Sequence, residues 1–171
     1  LDQMHAASVT DTLTGLPNRR HLEEHAPALW ARSSRENLLL ASLVIDLDHF
    51  KQVNDEHGHA AGDVLLRRVA RALRATVRAD DVVARTGGEE FVVLTLVSSP
   101  DPVLTLAERL RAAVRAVDTA AHPTVSIGIA LSRGPAQDPI DATWRLIDRA
   151  DVALYEAKRR GRDRSVLLDP S

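Results

Sequence analysis

No cysteine occurs in the chain, so neither a disulfide framework nor a thiolate metal site is open to it. Long apolar runs are missing as well. The longest, Leu38 to Ile45, is interrupted by Ser42 and is far too short to cross a bilayer. Nothing at the start resembles a secretion signal, which makes the cytoplasm the expected compartment, without membrane contact by this domain. Charge of one sign is also lacking: 22 Lys plus Arg stand against 24 Asp plus Glu, a formal net charge of −2. That balance supplies no field to hold a polyanion and argues against nucleic-acid binding. Lysine itself is scarce, because 20 of the 22 basic residues are Arg and only Lys51 and Lys158 are Lys. A bias toward Ala and Arg accounts for the excess, so the two lysines matter only where they fall in motifs.

What remains is the mixture of an ordinary globular fold, with 44% hydrophobic and 27% charged residues in a chain of 171, enough for one domain with a core. The first residues are Leu-Asp-Gln rather than Met, which suggests a piece of a longer protein. Residues 1–10 are expected to end a linker helix from an upstream sensory or regulatory part, and residues 11–171 to form the domain.

The turn cluster Thr14-Gly15-Leu16-Pro17-Asn18 precedes a helix predicted from about Arg19 to Ala31, which Pro27 should bend or end early. Leu38 to Asp46 is a continuous apolar run ending in carboxylates, as expected of a central strand buried on both faces. A polar connection from Lys51 to Gly62 follows, with Asp63 as N-cap of a helix over Val64 to Val77. Val82 to Ala84 and Phe91 to Val97 flank Gly87-Gly88 and read as a hairpin whose tip carries Glu89 and Glu90. A helix over Val103 to Val117, a strand over Thr124 to Leu131, a helix over Ala142 to Arg159 and a strand over Ser165 to Leu168 complete a mixed α/β order.

Acidic side chains at a glycine turn need a reason. Period-2 geometry puts Asp46 and Asp48 on one face of the central strand, and a hairpin paired beside it brings Glu89 and Glu90 near. Carboxylates about 4 Å apart repel by roughly 4 kcal/mol at an effective dielectric near 20, which protons or a divalent cation would relieve. All-oxygen donors favour Mg²⁺ or Mn²⁺. Gly87 and Gly88 have no Cβ to block an anion from backbone N–H groups and permit positive φ, although a hairpin alone is sufficient reason for them. Asp63 can accept hydrogen bonds from guanine N1–H and its amino group, which adenine does not offer on that edge; the same residue also suits an N-cap. His57 and His59 read as surface residues rather than zinc ligands. Lys158 and Arg162, four apart at the end of the last helix, could reach one triphosphate, as could cations simply favoured by the helix dipole.

Taken together, these residues resemble the GGDEF family, the diguanylate cyclases. The resemblance rests on Asp11 to Arg20 (DTLTGLPNRR), Asp46 to Lys51 (DLDHFK), Asn54 to Asp63 (NDEHGHAAGD), Arg85 to Phe91 (RTGGEEF), Thr124 to Ala130 (TVSIGIA) and Ala150 to Arg162 (ADVALYEAKRRGR). The signature is the GGEEF variant, and the pieces span nearly the whole chain in order. The resemblance implies an α/β sandwich, a five-stranded mixed sheet surrounded by helices and related to nucleotide cyclases and the polymerase palm. It implies condensation of two GTP into cyclic di-GMP with release of two pyrophosphates. It also implies that Asp46, the Leu47 carbonyl and Glu89 are metal ligands for Mg²⁺ or Mn²⁺, with Glu90 beside them. Asn54 and Asp63 would read guanine, Gly87 and Gly88 would face the phosphates, Lys158 and Arg162 would hold the triphosphate, and Lys51 would offset its charge. Either Glu89 or Glu90 could be the general base. A two-fold symmetric product made from two substrates implies a homodimer with half a site on each chain. Arg78, Asp81 and Arg109 match a product-inhibition site for cyclic di-GMP. Thr86 and Asp163 depart from the usual pattern, where an aromatic or large apolar residue and an Asn are common. A catalytically silent GTP- or cyclic-di-GMP-binding regulator, or a plain dimerisation module, is the competing function.

Overall fold

Eight of the nine residues of β1 (Leu39–Leu47) are buried, because side chains on both faces of this strand are covered by helices. The computed structural model describes residues 8–168. Around β1 the chain runs through α1 (Arg19–Glu36), then β1, α2 (Phe50–His57), α3 (His59–Thr76), β2 (Val82–Gly87), β3 (Glu90–Val97), α4 (Pro100–Arg115), β4 (Val125–Arg133), α5 (Pro139–Arg159) and β5 (Ser165–Leu167). The five strands form one sheet in the order β2-β3-β1-β4-β5, antiparallel except for the parallel pair β4-β5. The expected five-stranded α/β sandwich is therefore the observed fold, with β1 at its centre.

The sheet separates two cores. Ala41, Leu43, Ile45 and Leu47 pack with Leu65, Val69 and Leu73 of α3 and with Ala107 and Leu110 of α4. Leu40 and Val44 face the other way, against Leu22, Ala26 and Trp30 of α1 and Leu146, Ile147 and Leu154 of α5. A fully buried Leu or Ile of this kind contributes about 1.5–3 kcal/mol. On that second face α5 rests directly on the backbone of β4. A Cβ added at Gly128 would stand 2.0 Å from the Ala150 carbonyl oxygen and 2.2 Å from Leu154 N, both backbone atoms that cannot turn aside. Replacing Gly128 with Val is expected to lift α5 off the sheet and cost about 3 kcal/mol or more, read as a lowered urea midpoint.

Several sequence expectations fail locally. Pro27 neither ends nor shortens α1, which continues to Glu36. Pro27 is exposed, while Leu22, Ala26, Trp30 and Ser33 hold the opposite side of the helix in the core. The polar connection from Lys51 to Gly62 is two helices meeting at Gly58, whose φ of 88° suits only glycine. Asp63 is therefore inside α3 and is not its N-cap; Gly58 occupies that position. The proposed linker helix lies outside the described residues as far as residue 7, and Ser8 to Thr10 are not helical, Thr10 bridging to Pro17. Among the described residues no helix is long and apolar enough to cross a membrane.

Candidate active site

The acidic end of β1 and the acidic turn of the hairpin meet because β1 and β3 are antiparallel neighbours. In that register Asp46 is directly opposite Glu90, which puts both side chains on the α5 face of the sheet. One residue further on, the Leu47 N–H donates to the Glu89 carbonyl at 3.2 Å. From α5, Lys158 Nζ donates to Asp46 Oδ2 at 2.6 Å. The Thr86 hydroxyl donates to Glu90 Oε1 at 3.4 Å, so the unusual Thr is a partner of the signature acid.

Crowding shows in the proton affinities. Burial pushes the Asp46 carboxyl above its ordinary value, with Glu89 and Asp48 adding to the effect and Lys158 opposing it. Burial likewise raises Glu90, helped by Asp151 and Asp46 and opposed by Thr86 and Lys158. Asp151, on the outer side of α5, is raised by the protein around it and then by Asp148. Asp151 belongs to the cluster and escaped the sequence reading, although its place seven residues before Lys158 puts the two on one helix face.

Asp48 does something else. Its carboxylate accepts from the Thr124 hydroxyl (2.8 Å), the Ser126 hydroxyl (2.7 Å) and the Asp163 N–H (3.0 Å), and the residue is buried. Although it shares a face with Asp46, these three hydrogen bonds make it a structural anchor. Asp163 in turn accepts from Arg111 Nη2 at 2.9 Å through Oδ1, so the departure from Asn is built into this loop. Arg162 lies in the same loop, exposed and at φ 65°, beyond the end of α5 at Arg159. The helix ends at Arg159 as the sequence suggested, so of the expected pair Lys158 lies in its last turn and Arg162 in the loop that Asp48 and Arg111 fix.

Asn54 on α2 and Asp63 on α3 are brought together at Gly62. A Cβ there would fall 1.9 Å from Asn54 Oδ1, so the missing side chain is the space the amide occupies, one residue from the exposed Asp63. Lys51 is exposed on the first turn of α2. Gly87 and Gly88 are exposed and neither has positive φ, contrary to one reason given for them, and a Cβ on either would meet open space. Gly88 is fixed by its carbonyl, which accepts from Arg85 Nε (3.0 Å) and Nη2 (2.8 Å). Arg85 Nη1 also reaches both Asp11 oxygens at 3.2 Å, and Asp11 accepts from the Thr14 N–H and hydroxyl. Burial alone would raise Asp11, but these hydrogen bonds and the Arg85 charge hold it below the usual carboxylate range.

A hard cation fits the donor chemistry here, since Asp46, Glu89, Glu90 and the Leu47 carbonyl are all oxygen donors and the carboxylates are crowded. Among the described residues no three His, Cys, Asp or Glu side chains are already arranged around a common metal position. Such an ion would therefore complete its shell with water or phosphate oxygens, as Mg²⁺ commonly does.

On the far side of the hairpin, Arg78, Asp81 and Arg109 line one cavity of about 420 Å³, together with Arg32, which no sequence pattern had linked to them. Asp81 is buried and accepts from the Thr95 hydroxyl (2.6 Å) and the Arg78 N–H (2.9 Å). Arg78 Nη2 donates to Thr95 Oγ1 at 3.1 Å and to the Leu96 carbonyl at 2.9 Å. Arg109 is exposed and donates to the Thr76 carbonyl at 3.2 Å.

A family model described as diguanylate cyclase, GGDEF domain, matches residues 8–164. Diguanylate cyclase DgcP of Pseudomonas aeruginosa is 44% identical over 169 residues, a match covering 96% of this chain and 24% of that protein. Diguanylate cyclase DosC of Escherichia coli K12 is 41% identical over 162 residues, 94% of this chain and 35% of that one. The chain thus spans about a quarter to a third of the length of these curated relatives. Among solved structures, the GGDEF domain of DgcB from Caulobacter crescentus in complex with c-di-GMP matches with a TM-score of 0.82 at 31% identity, over 94% of this chain and 96% of that one. The active GGEEF domain of a diguanylate cyclase from Vibrio cholerae matches with a TM-score of 0.77 at 30% identity, over 90% and 98% of the two chains.

Proposed function

The chain belongs to the GGDEF family, and on that premise we propose that it is a diguanylate cyclase, joining two GTP into cyclic di-GMP and releasing two pyrophosphates. The observation that carries this reading is the pairing of Asp46 with Glu90 across β1 and β3, with Lys158 bound to Asp46 at 2.6 Å. Asp46, Glu89 and the Leu47 carbonyl would hold Mg²⁺ or Mn²⁺, with Glu90 beside them. Bound there, the cation supplies neutralising charge at the attacked phosphorus and the leaving pyrophosphate.

Each side chain then has a task that its surroundings suit. Lys158, half-buried at the lip of the cluster, can exchange its carboxylate partner for a triphosphate oxygen. Arg162 projects from the anchored loop and supplies a second cation, and Lys51 adds charge from α2. Gly87 and Gly88 leave room that no neighbour fills, which lets phosphate oxygens approach the turn. Asn54 and Asp63 read the guanine edge; adenine there would leave Asp63 unpaired. Either Glu89 or Glu90, both beside the cation, could receive the 3′-hydroxyl proton.

Because one GTP attacks another, two copies must meet with their sites facing. Turnover measured over a range of protein concentrations with GTP and Mg²⁺ is expected to rise with the square of concentration at the dilute end. Absence of cyclic di-GMP at every concentration would overturn the reading.

The Arg78 cavity is proposed to take cyclic di-GMP as an inhibitor. Arginine forks can donate to guanine O6 and N7, and Asp81, which lines the same cavity and braces Arg78, can accept from the guanine amino edge. Arg109→Ala should keep the initial rate and weaken product inhibition about tenfold, the loss of one good bidentate contact. An unchanged inhibition curve would remove Arg109 from the site.

A further inference from the structure

Three residues in succession after α5 adopt a left-handed backbone, Gly161 at φ 124°, Arg162 at 65° and Asp163 at 50°, and two of them carry side chains that disfavour it. Such a run persists only where its surroundings hold it. The Arg162 N–H donates to the Ala157 carbonyl at 3.0 Å, and the Asp163 N–H donates to Asp48 at 3.0 Å. From α4, Arg111 Nη2 donates to the Asp163 carbonyl and, at 2.9 Å, to Asp163 Oδ1, so one guanidinium grips both the backbone and the side chain of that residue. Its Nη1 pairs with Glu108, whose other oxygen accepts from the Ser165 hydroxyl at 2.9 Å. As a stabiliser alone this arrangement is inefficient. Only 14% of the Arg111 side chain is exposed, and its Nε is buried without a partner among the described residues, so a charge has given up its water to hold a surface loop. What that loop carries is the exposed Arg162, just beyond the Lys158 that binds Asp46.

We propose that Arg111 is a positioning residue for the triphosphate: through its ion pair with Asp163 it keeps the loop in the conformation that presents Arg162 beside Lys158, without itself touching the nucleotide. The inference rests on the cyclase reading, which assigns Arg162 to the triphosphate but does not say what aims it. Asp48 fixes the amide on one side of Asp163 and Arg111 the carbonyl on the other, so together they set the peptide planes that flank it. Asp163 in place of the usual Asn gives the pair opposite charges, which strengthens its hydrogen bond. A cation held ready in this way has less freedom to lose when the phosphates arrive.

The test is the affinity of a non-hydrolysable GTP analogue, with Mg²⁺, for the whole chain carrying Arg111→Ala, Arg162→Ala or both. Each single change is expected to weaken binding about tenfold, the scale of one charge-assisted hydrogen bond, and the double change hardly more than Arg162→Ala alone. Asp163→Ala carries the same test should Arg111→Ala unfold, and Asp163→Asn, which keeps the Oδ1 acceptor and tolerates a left-handed backbone, should bind as the native chain does. Losses that multiply to about a hundredfold in the double variant would make Arg111 an independent structural residue and overturn the proposal. Native affinity in Arg162→Ala, or in both Arg111→Ala and Asp163→Ala, would overturn it as well. A native chain without affinity for the analogue would overturn the cyclase reading and the proposal together. If the coupling is found and cyclic di-GMP forms at no protein concentration, the cyclase reading fails and the positioning role stands.

Discussion

Cyclic di-GMP formation is expected to fall by about a hundredfold or more when Glu89 is replaced by Gln, the scale of losing a carboxylate that acts on the reacting charge. The fold should survive the change. Glu89 is half-buried in a turn, and the contact that ties it to β1 is made by its backbone carbonyl, which Gln retains. Thermal unfolding should therefore be unchanged while turnover disappears, and GTP should still bind through Asn54, Asp63 and the basic side chains. The two measurements separate the roles. Full activity in Glu89→Gln would show that the ligand assignment is wrong, whereas loss of folding would show that the turn depends on the carboxylate itself.

Asp48→Ala should do the opposite. This buried carboxylate joins the end of β1 to β4 through Thr124 and Ser126 and to the loop after α5 through the Asp163 N–H. Its removal leaves the fully buried Ser126 hydroxyl and a backbone donor without their acceptor, at about 1–3 kcal/mol each. A total loss of about 3–5 kcal/mol is expected, a large part of a small domain's stability. Urea unfolding should show a lower midpoint at unchanged slope. Because the same carboxylate fixes the loop that carries Arg162, turnover below the melting point should fall as well. An unaltered midpoint would mean that Thr124, Ser126 and Asp163 find other partners.

These neighbours illustrate how far the sequence could be read. Strand β1, the Gly87-Gly88 hairpin and the alternation of helices and strands were legible, because long apolar runs and strong helical periodicity dominate local alternatives. Helix α2 was not. It presents only Phe50 and Val53, both partly buried, to the core, too few apolar positions for a period to be recognised. Missing it displaced Asp63 into a loop and made it look like a cap. Asp46 and Asp48 have the same local pattern, and only tertiary partners from β4 and the last loop distinguish a cluster acid from an anchor. Asp151 was recoverable from its spacing to Lys158. Arg32 was not, since nothing local relates it to Arg78 and Arg109; the packing of α1 beside the sheet edge brings them to one cavity.

The stretch from Ser8 to Asn18 is stitched at both ends: Asn18 holds Ser8 and Val9, Pro17 accepts from the Arg85 N–H, and Asp11 grips the Arg85 fork that also holds Gly88. Mechanically, the backbone before α1 hangs from the base of the GGEEF turn and not from a loose end. A displacement of this stretch reaches both Arg85, whose fork holds Gly88 next to Glu89, and the α3–α4 core, through the buried Leu16.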